Sequence, residues 1–306
     1  MVTTQRSIEF PSILKKYTSK KIPFHLGQVL GNALRYIILV ALAFSFILPM
    51  YWMVTSALKT DAQVYNIPPV WIPNPAHWEN FWVGWNLYDY NRYLVNTVFR
   101  YAIPVMFATT LSSAFVAYGF SRIQWRGREA FFAILLATMM IPSQVTIVPI
   151  FIIFRQLGWI NSYRPLVVPA FFGSAWNIFL MRQFFKSIPR ELSEAALIDG
   201  ASELTVLFRI ILPLAKPVLT VVALFAFMNA WNDYFGPLIY IGRREQFPIA
   251  LAIHQLRISY EDPAMSAGLY PYLMAISTIV TLPIFGVFFL AQRTFIEQIS
   301  LTGLKG

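Results

Sequence analysis

Few side chains in this chain of 306 residues have the types and spacing that chemistry needs. There is no cysteine, which removes thiol nucleophiles, disulfides and thiolate metal sites. The three histidines, His25, His77 and His254, lie far apart and match no H-E-x-x-H or comparable ligand spacing. His77 and His254 fall outside the apolar runs and read as solvated. No G-x-x-x-x-G-K-[ST] occurs, so the chain lacks a loop that cradles nucleotide phosphates. Nothing supports an enzyme in its own right, and no cofactor or metal is expected on the chain. One carboxylate does stand out. Asp233 follows an uncharged run, residues 217–232. A charge at membrane depth is expensive, so it normally faces a polar cavity or a partner. Asn229 lies one helical turn earlier on the same face, and Asn232 is adjacent. With Trp231 they could offer a polar ligand both hydrogen bonds and a stacking surface. The alternative is that Asp233 sits at headgroup level and simply ends the run.

The second group of interest is the polar stretch from Ser187 to Pro217. Its pattern predicts two short helices. Pro189 suits a first turn, where its missing N–H costs nothing. Glu191 and Glu194 complement the positive end of a helix dipole. Ala195, Ala196 and Leu197 are good helix formers, and Gly200 is placed to stop the helix in the left-handed conformation. A second helix should begin near Ser202, with Leu204, Leu207, Phe208 and Ile211 on one face. Pro213 and Pro217 mark the turn into the next apolar run. An amphipathic pair of this kind suits either a membrane surface or a partner's groove.

Composition says what must hold these groups. The chain is 57% hydrophobic and 12% charged, with a mean hydropathy of +0.57. Soluble domains run at about 45–50% apolar and about 25% charged. This excess has no place inside a soluble globule of the same size, so the chain is an integral membrane protein. Its formal charge of +10 is therefore a question of membrane sidedness, with no nucleic acid partner expected. Stretches free of Asp, Glu, Lys and Arg cover residues 36–58, 101–121, 130–154, 165–181, 217–232 and 263–292. A span needs about 20 residues, so these predict six transmembrane helices, with Arg182 snorkelling to complete the fourth. They do not alternate polar and apolar residues, which excludes a membrane barrel and leaves an all-α polytopic helical bundle. Placing both termini in the cytoplasm puts 16 Lys and Arg inside and 8 outside, in line with the positive-inside rule. The 35 residues before the first run make it an uncleaved span, not a signal peptide.

The expected organisation is an N-terminal cytoplasmic segment (1–35), a membrane domain (36–294) with the loop at 184–216, and a cytoplasmic tail (295–306). The longest external segment, 59–100, is dense in Pro and Trp and reads as an interfacial anchor. Ala108-x-x-x-Ser112 and Ser113-x-x-x-Ala117 place small residues where helices can approach closely.

The loop also carries a resemblance. Glu194-Ala195-Ala196-x-x-Asp199-Gly200-Ala201, followed by Phe208-x-Ile210-x-Leu212-Pro213-x-x-x-Pro217, resembles the signature loop of ABC importer permeases. Trp231-Asn232-Asp233-Tyr234-Phe235-x-Pro237-Leu238-Ile239, the segment from Met140 to Gly158, and the Leu304-Lys305-Gly306 ending are similar to carbohydrate permeases of the maltose type, second subunit. Phosphoglycerol-type importers share much of the pattern. The resemblance implies a subunit of the bacterial inner membrane that pairs with a second permease. It also implies two nucleotide-binding ATPase subunits, which hold ATP and Mg, and an external solute-binding protein. The loop would dock on an ATPase through Glu191, Glu194, Ala195, Ala196, Leu197, Asp199, Gly200, Ala201, Phe208, Leu212 and Pro213. Asn229, Trp231, Asn232 and Asp233 are the candidates for the substrate path. An ion-coupled secondary transporter is the rival reading, and it calls for charged relays in several spans where only Asp233 qualifies.

Overall fold

A computed structural model describes residues 26–261 and 268–303, and the side chains of 30–260 and 268–292. The N-terminal segment through His25, residues 262–267 and the Leu304-Lys305-Gly306 ending lie outside the described residues. Among the described residues every regular element is a helix. The chain divides into two units at Tyr51 and Trp52. In the first, the described residues all belong to one helix, α1 (Leu26–Ala57). Leu34, Ile37, Phe44 and Phe46 are exposed on it, and a helix that is apolar all round suits a lipid or subunit environment.

The second unit is built on α2 (Tyr90–Ser121). Asp89 starts this helix by accepting the Arg92 backbone N–H. The helix then passes through a π-helical turn at Asn96–Ala102, where the Ile103 N–H reaches the Val98 carbonyl. Pro104 comes next, and its missing N–H removes the bond that would hold a regular turn. A second π turn, Leu207–Ile211, stands in the same relation to Pro213. After α2 come α3 (Arg128–Thr138), α4 (Ser143–Gln156), α5 (Ala175–Ser187), α6 (Glu191–Ile198), α7 (Glu203–Leu214), α8 (Lys216–Asn232), α9 (Ile249–Glu261) and α10 (Leu269–Gly303). α2 packs against α5 and α8. The small residues at the expected spacing permit this, since Ala108, Ser113 and Ala117 are all buried in the contact. Tyr118, Phe185, Leu207 and Val222 fill the core where these helices meet.

Three described segments are long and apolar enough to cross a membrane: Leu30–Ala57, Tyr90–Ser121 and Leu269–Gln292. Counting α3 with α4 (bent by 97°) and α7 with α8 (bent by 81°) as single spans raises the number to five. The first bend falls at Pro142 and the second at Ala215, between Pro213 and Pro217. The sequence predicts six, and the difference lies at 165–181. That run is a short helix, Arg164–Val167, then a 3-10 turn, Val168–Phe172, then Gly173 at φ +83 before α5 begins. Pro165, Pro169 and Gly173 break the helix that composition alone predicts.

Arg182 does not snorkel. It is 3% exposed, and its guanidinium donates to both carboxylate oxygens of Glu129 at 2.9 and 2.8 Å and to the Phe120 carbonyl at 3.1 Å. The same group lies 3.8 Å from the centre of the Phe132 ring. It ties α5 to α3. The two described histidines are not free in solvent either. His254 stacks on Tyr234 with ring centres 4.5 Å apart, and His77 Nδ1 is 2.5 Å from Glu79 Oε1.

Candidate functional site

Two places collect the residues singled out in the sequence. The first is the loop between α5 and α8. Helix α6 has Glu191 and Glu194 in its first turn, next to the unpaired N–H groups of its start. It closes as a Schellman turn: Ala201 N–H donates to the Ala196 carbonyl at 2.9 Å and Gly200 N–H to that of Leu197 at 3.1 Å. Gly200 stands at φ +84, and a side chain there would meet nothing within 4 Å. The glycine is needed for its backbone angle, not for space. Ser202 then caps α7, its hydroxyl accepting the Thr205 N–H at 3.3 Å.

The face this leaves is polar at its edges and apolar in part. Glu191, Glu194, Ala195, Leu197, Asp199 and Gly200 are exposed, while Ala196 and Ala201 are half-buried and pack against the core. Phe208 and Pro213 are exposed and Leu212 is half-buried. The expected stripe on α7 is split. Leu207 and Ile211 are buried, but Leu204 and Phe208 point away, because the π turn shifts the register between them. Ile198 is the most exposed apolar residue of the loop, at 85%, and Leu192 lies near it in sequence and is also exposed. Ile198 is not among the docking residues that the sequence singles out. An isoleucine in the last turn of a polar loop helix is the signal that could have found it.

The second place is a cavity of about 420 Å³ lined by α2, α5 and the end of α8. Asn229, Asn232 and Asp233, three of the four residues singled out for the substrate path, all line it. So do Tyr101, Thr109, Ser174 and Asn177, which the sequence does not single out. Polar residues inside otherwise apolar runs, as Thr109 and Asn177 are, could have pointed to them. Asp233 accepts the Tyr101 hydroxyl on Oδ2 at 2.5 Å and the Gly236 N–H on Oδ1 at 3.0 Å. Gly236 is required by closeness, since a Cβ there would stand 2.6 Å from Oδ2 and 2.9 Å from Leu166. The carboxylate thus ties α8 to α2 and accepts a backbone N–H from the first turn of the short helix Phe235–Tyr240 that follows. Trp231 does not join the lining of this cavity. It is 2% exposed and rests on Phe227 at 5.6 Å between ring centres, so it offers no open stacking face there. Trp231 instead lines a second cavity of about 710 Å³ between α8, α9 and α10, which shares Asn232 with the first and whose lining includes Tyr234, His254, Arg257 and Tyr260. Among the described residues no group of His, Asp and Glu could hold a metal ion.

An all-helical membrane bundle with a polar cavity among its helices and an ordered, surface-exposed helix pair has the build of a transport subunit. Residues 110–299 match the family of binding-protein-dependent transport system inner membrane components. The probable ABC transporter permease protein YurM of Bacillus subtilis (strain 168) is 31% identical over 92% of this chain and 90% of its own length. The sulfoquinovosyl glycerol transport system permease protein SmoH of Agrobacterium fabrum is 29% identical over 90% of this chain and 95% of its own. A chain in the crystal structure of a bacterial ABC transporter involved in the import of the acidic polysaccharide alginate superposes with a TM-score of 0.77. It is 22% identical, and the match covers 88% of this chain and 98% of that one. The chain belongs to the family of binding-protein-dependent ABC importer permeases, multi-pass components of the inner membrane.

Proposed function

We propose that this chain is one of the two permease subunits of an ATP-driven importer for a saccharide, the second-subunit type. It would line half of the translocation pathway and take its drive through the loop from Ser187 to Pro217. The saccharide assignment rests on the cargo named for its relatives and on a cavity whose polar lining suits hydroxyl groups: three asparagines, a serine, a threonine and Asp233. In this reading the chain crosses the membrane six times with both termini in the cytoplasm, which the 16 to 8 distribution of basic residues supports. The loop then lies on the cytoplasmic side, where two ATPase subunits bind and hydrolyse ATP, while the solute-binding protein delivers cargo from outside. Opening to one side and then the other follows if the two permeases rock about the cavity and ATP binding favours one arrangement.

The observation that carries the reading is α6 itself. Leu192, Leu197 and Ile198 remain exposed on a helix whose start and closing turn are ordered by hydrogen bonds. An ordered loop with an exposed apolar face is suited to a partner's groove. Purification of the tagged chain from its native membrane in mild detergent tests this. The account expects a second permease and an ATPase pair to come with it, and recovery of the chain alone would overturn it.

A further inference from the structure

α2 ends at Ser121, and its last turn reaches the docking loop twice. The Tyr118 hydroxyl donates to the Glu203 carboxylate, in the first turn of α7 just after the Gly200 turn. The Arg122 guanidinium donates to the carbonyls of Phe185 and Ile188 at 2.6 Å each and to that of Pro189 at 3.4 Å, where α5 ends and α6 is about to begin. Those carbonyls belong to a helix C-terminus, whose partial negative charge favours a cation. Tyr118 and Arg122 are four residues apart and therefore share a face of the helix. One turn of α2 thus holds the chain on both sides of α6, before it and after it.

The other end of the same helix lines the cavity. Tyr101 bonds Asp233, and Val105 and Thr109 contribute to the wall. From Val105 to Tyr118, beyond the π turn and Pro104, the helix is ~20 Å long at ~1.5 Å per residue, and its middle is packed tightly against α5 and α8. A packed helix moves as a body more readily than it bends. From this we infer that Tyr118 and Arg122 are the positioning residues through which the docking loop moves the cavity: they fasten α6 to α2, so that displacement of the loop by the ATPase subunits becomes displacement of Val105 and Thr109. The inference rests on the reading of α6 as the docking element and goes beyond it, because a loop that docks without these two fastenings would move without moving the cavity.

The test uses the whole complex, with cysteine-free partners, and no transported solute. Val105→Cys puts one thiol on the cavity wall of a chain that has none of its own. Its rate of reaction with a small thiol reagent is measured with and without ATP, Mg and vanadate. In the otherwise native chain the nucleotide changes that rate. In Tyr118→Phe combined with Arg122→Gln, the ATPase subunits stay bound and hydrolyse ATP, while the effect of nucleotide on the introduced thiol shrinks by about tenfold, the size of a coupling of about 1.4 kcal/mol. Arg122→Lys, which keeps the charge but not the planar fork, restores part of it. A merely structural role would alter yield and melting without separating hydrolysis from the cavity response. An undiminished response in the double variant overturns the inference, and so does release of the ATPase subunits by it, since the pair would then shape the docking surface and not transmit from it. Ile198→Asp touches neither fastening and tests the docking reading separately. ATPase subunits that stay bound to that variant would sink the docking reading, whatever the thiol on the cavity wall shows.

Discussion

The Tyr101 hydroxyl donates to Asp233 Oδ2 at 2.5 Å, joining two helices across 132 positions of sequence at the edge of the polar cavity. The carboxylate's other oxygen is taken by the Gly236 N–H, so Asp233 is held from two sides within the chain itself. Asp233→Ala leaves both donors without their partner, a loss of about 1–3 kcal/mol. Asp233→Asn keeps the shape and one acceptor and should be milder. Tyr101→Phe removes one of the two bonds and should fall between native and Asp233→Ala. The measurement is uptake of the system's labelled saccharide by reconstituted complex, normalised to assembled protein, alongside melting temperature. Near-native values for Asp233→Ala in both would show that water replaces the contact and that Asp233 only ends the span.

Gly200→Val should keep the chain in the membrane and abolish transport. A β-branched residue at φ +84 costs about 1–3 kcal/mol, and the Schellman turn that aims α6 is lost with it. Gly200→Asn tolerates the left-handed angle and should retain a substantial part of the activity. The check is ATPase retention and uptake in the same preparation. Equal behaviour of the valine and asparagine variants would contradict the role given to the turn.

These two sites are legible in the sequence to different degrees. The Gly200 stop and the Ser202 start depend on neighbouring residues only, and they stand where the sequence places them. Asn229 lines the cavity because a helical repeat carries it to the face of Asp233, and Asn232 because it is the immediate neighbour of Asp233 at the end of α8. Arg182 misleads for the opposite reason: its partner Glu129 is 53 positions away, and an isolated arginine after an apolar run looks like one that snorkels. The break at Gly173 is hidden because hydropathy counts composition and takes no account of Pro165 and Pro169. The split of Leu204 and Phe208 from Leu207 and Ile211 comes from a π turn, which shifts a register that period counting assumes to be constant.

Lys59 supplies a stability prediction with a pH dependence. Its ammonium is completely buried just after α1, has no hydrogen-bond partner among the described residues, and lies 3.7 Å from the centre of the Trp52 ring. Burial pushes its pKa below the ordinary 10.5. Between the lowered value and 10.5 the unfolded chain binds a proton that the folded chain has shed, so stability rises with pH across that window. Lys59→Met keeps the volume, removes the buried charge and should raise the melting temperature by roughly 2–4 °C at neutral pH while flattening that rise. A lower melting temperature for Lys59→Met would show that the contact with Trp52 outweighs the cost of burial.

Topology is open to a direct check because the chain has no cysteine of its own. Asn74 and Ser202 are both exposed. Asn74→Cys should react with a membrane-impermeant thiol reagent added to cells whose outer barrier has been opened, and Ser202→Cys should react only after the inner membrane is breached. The reverse pattern would invert the assignment of sides.

The measurement closest to the central claim is a cross-link from Ile198. A photoreactive thiol probe attached to Ile198→Cys in the assembled, membrane-embedded complex reports which protein covers that exposed face of α6. The account predicts a single product with an ATPase subunit, weakened when Gly200→Val is added. A product with the solute-binding protein, or with lipid alone, would contradict it.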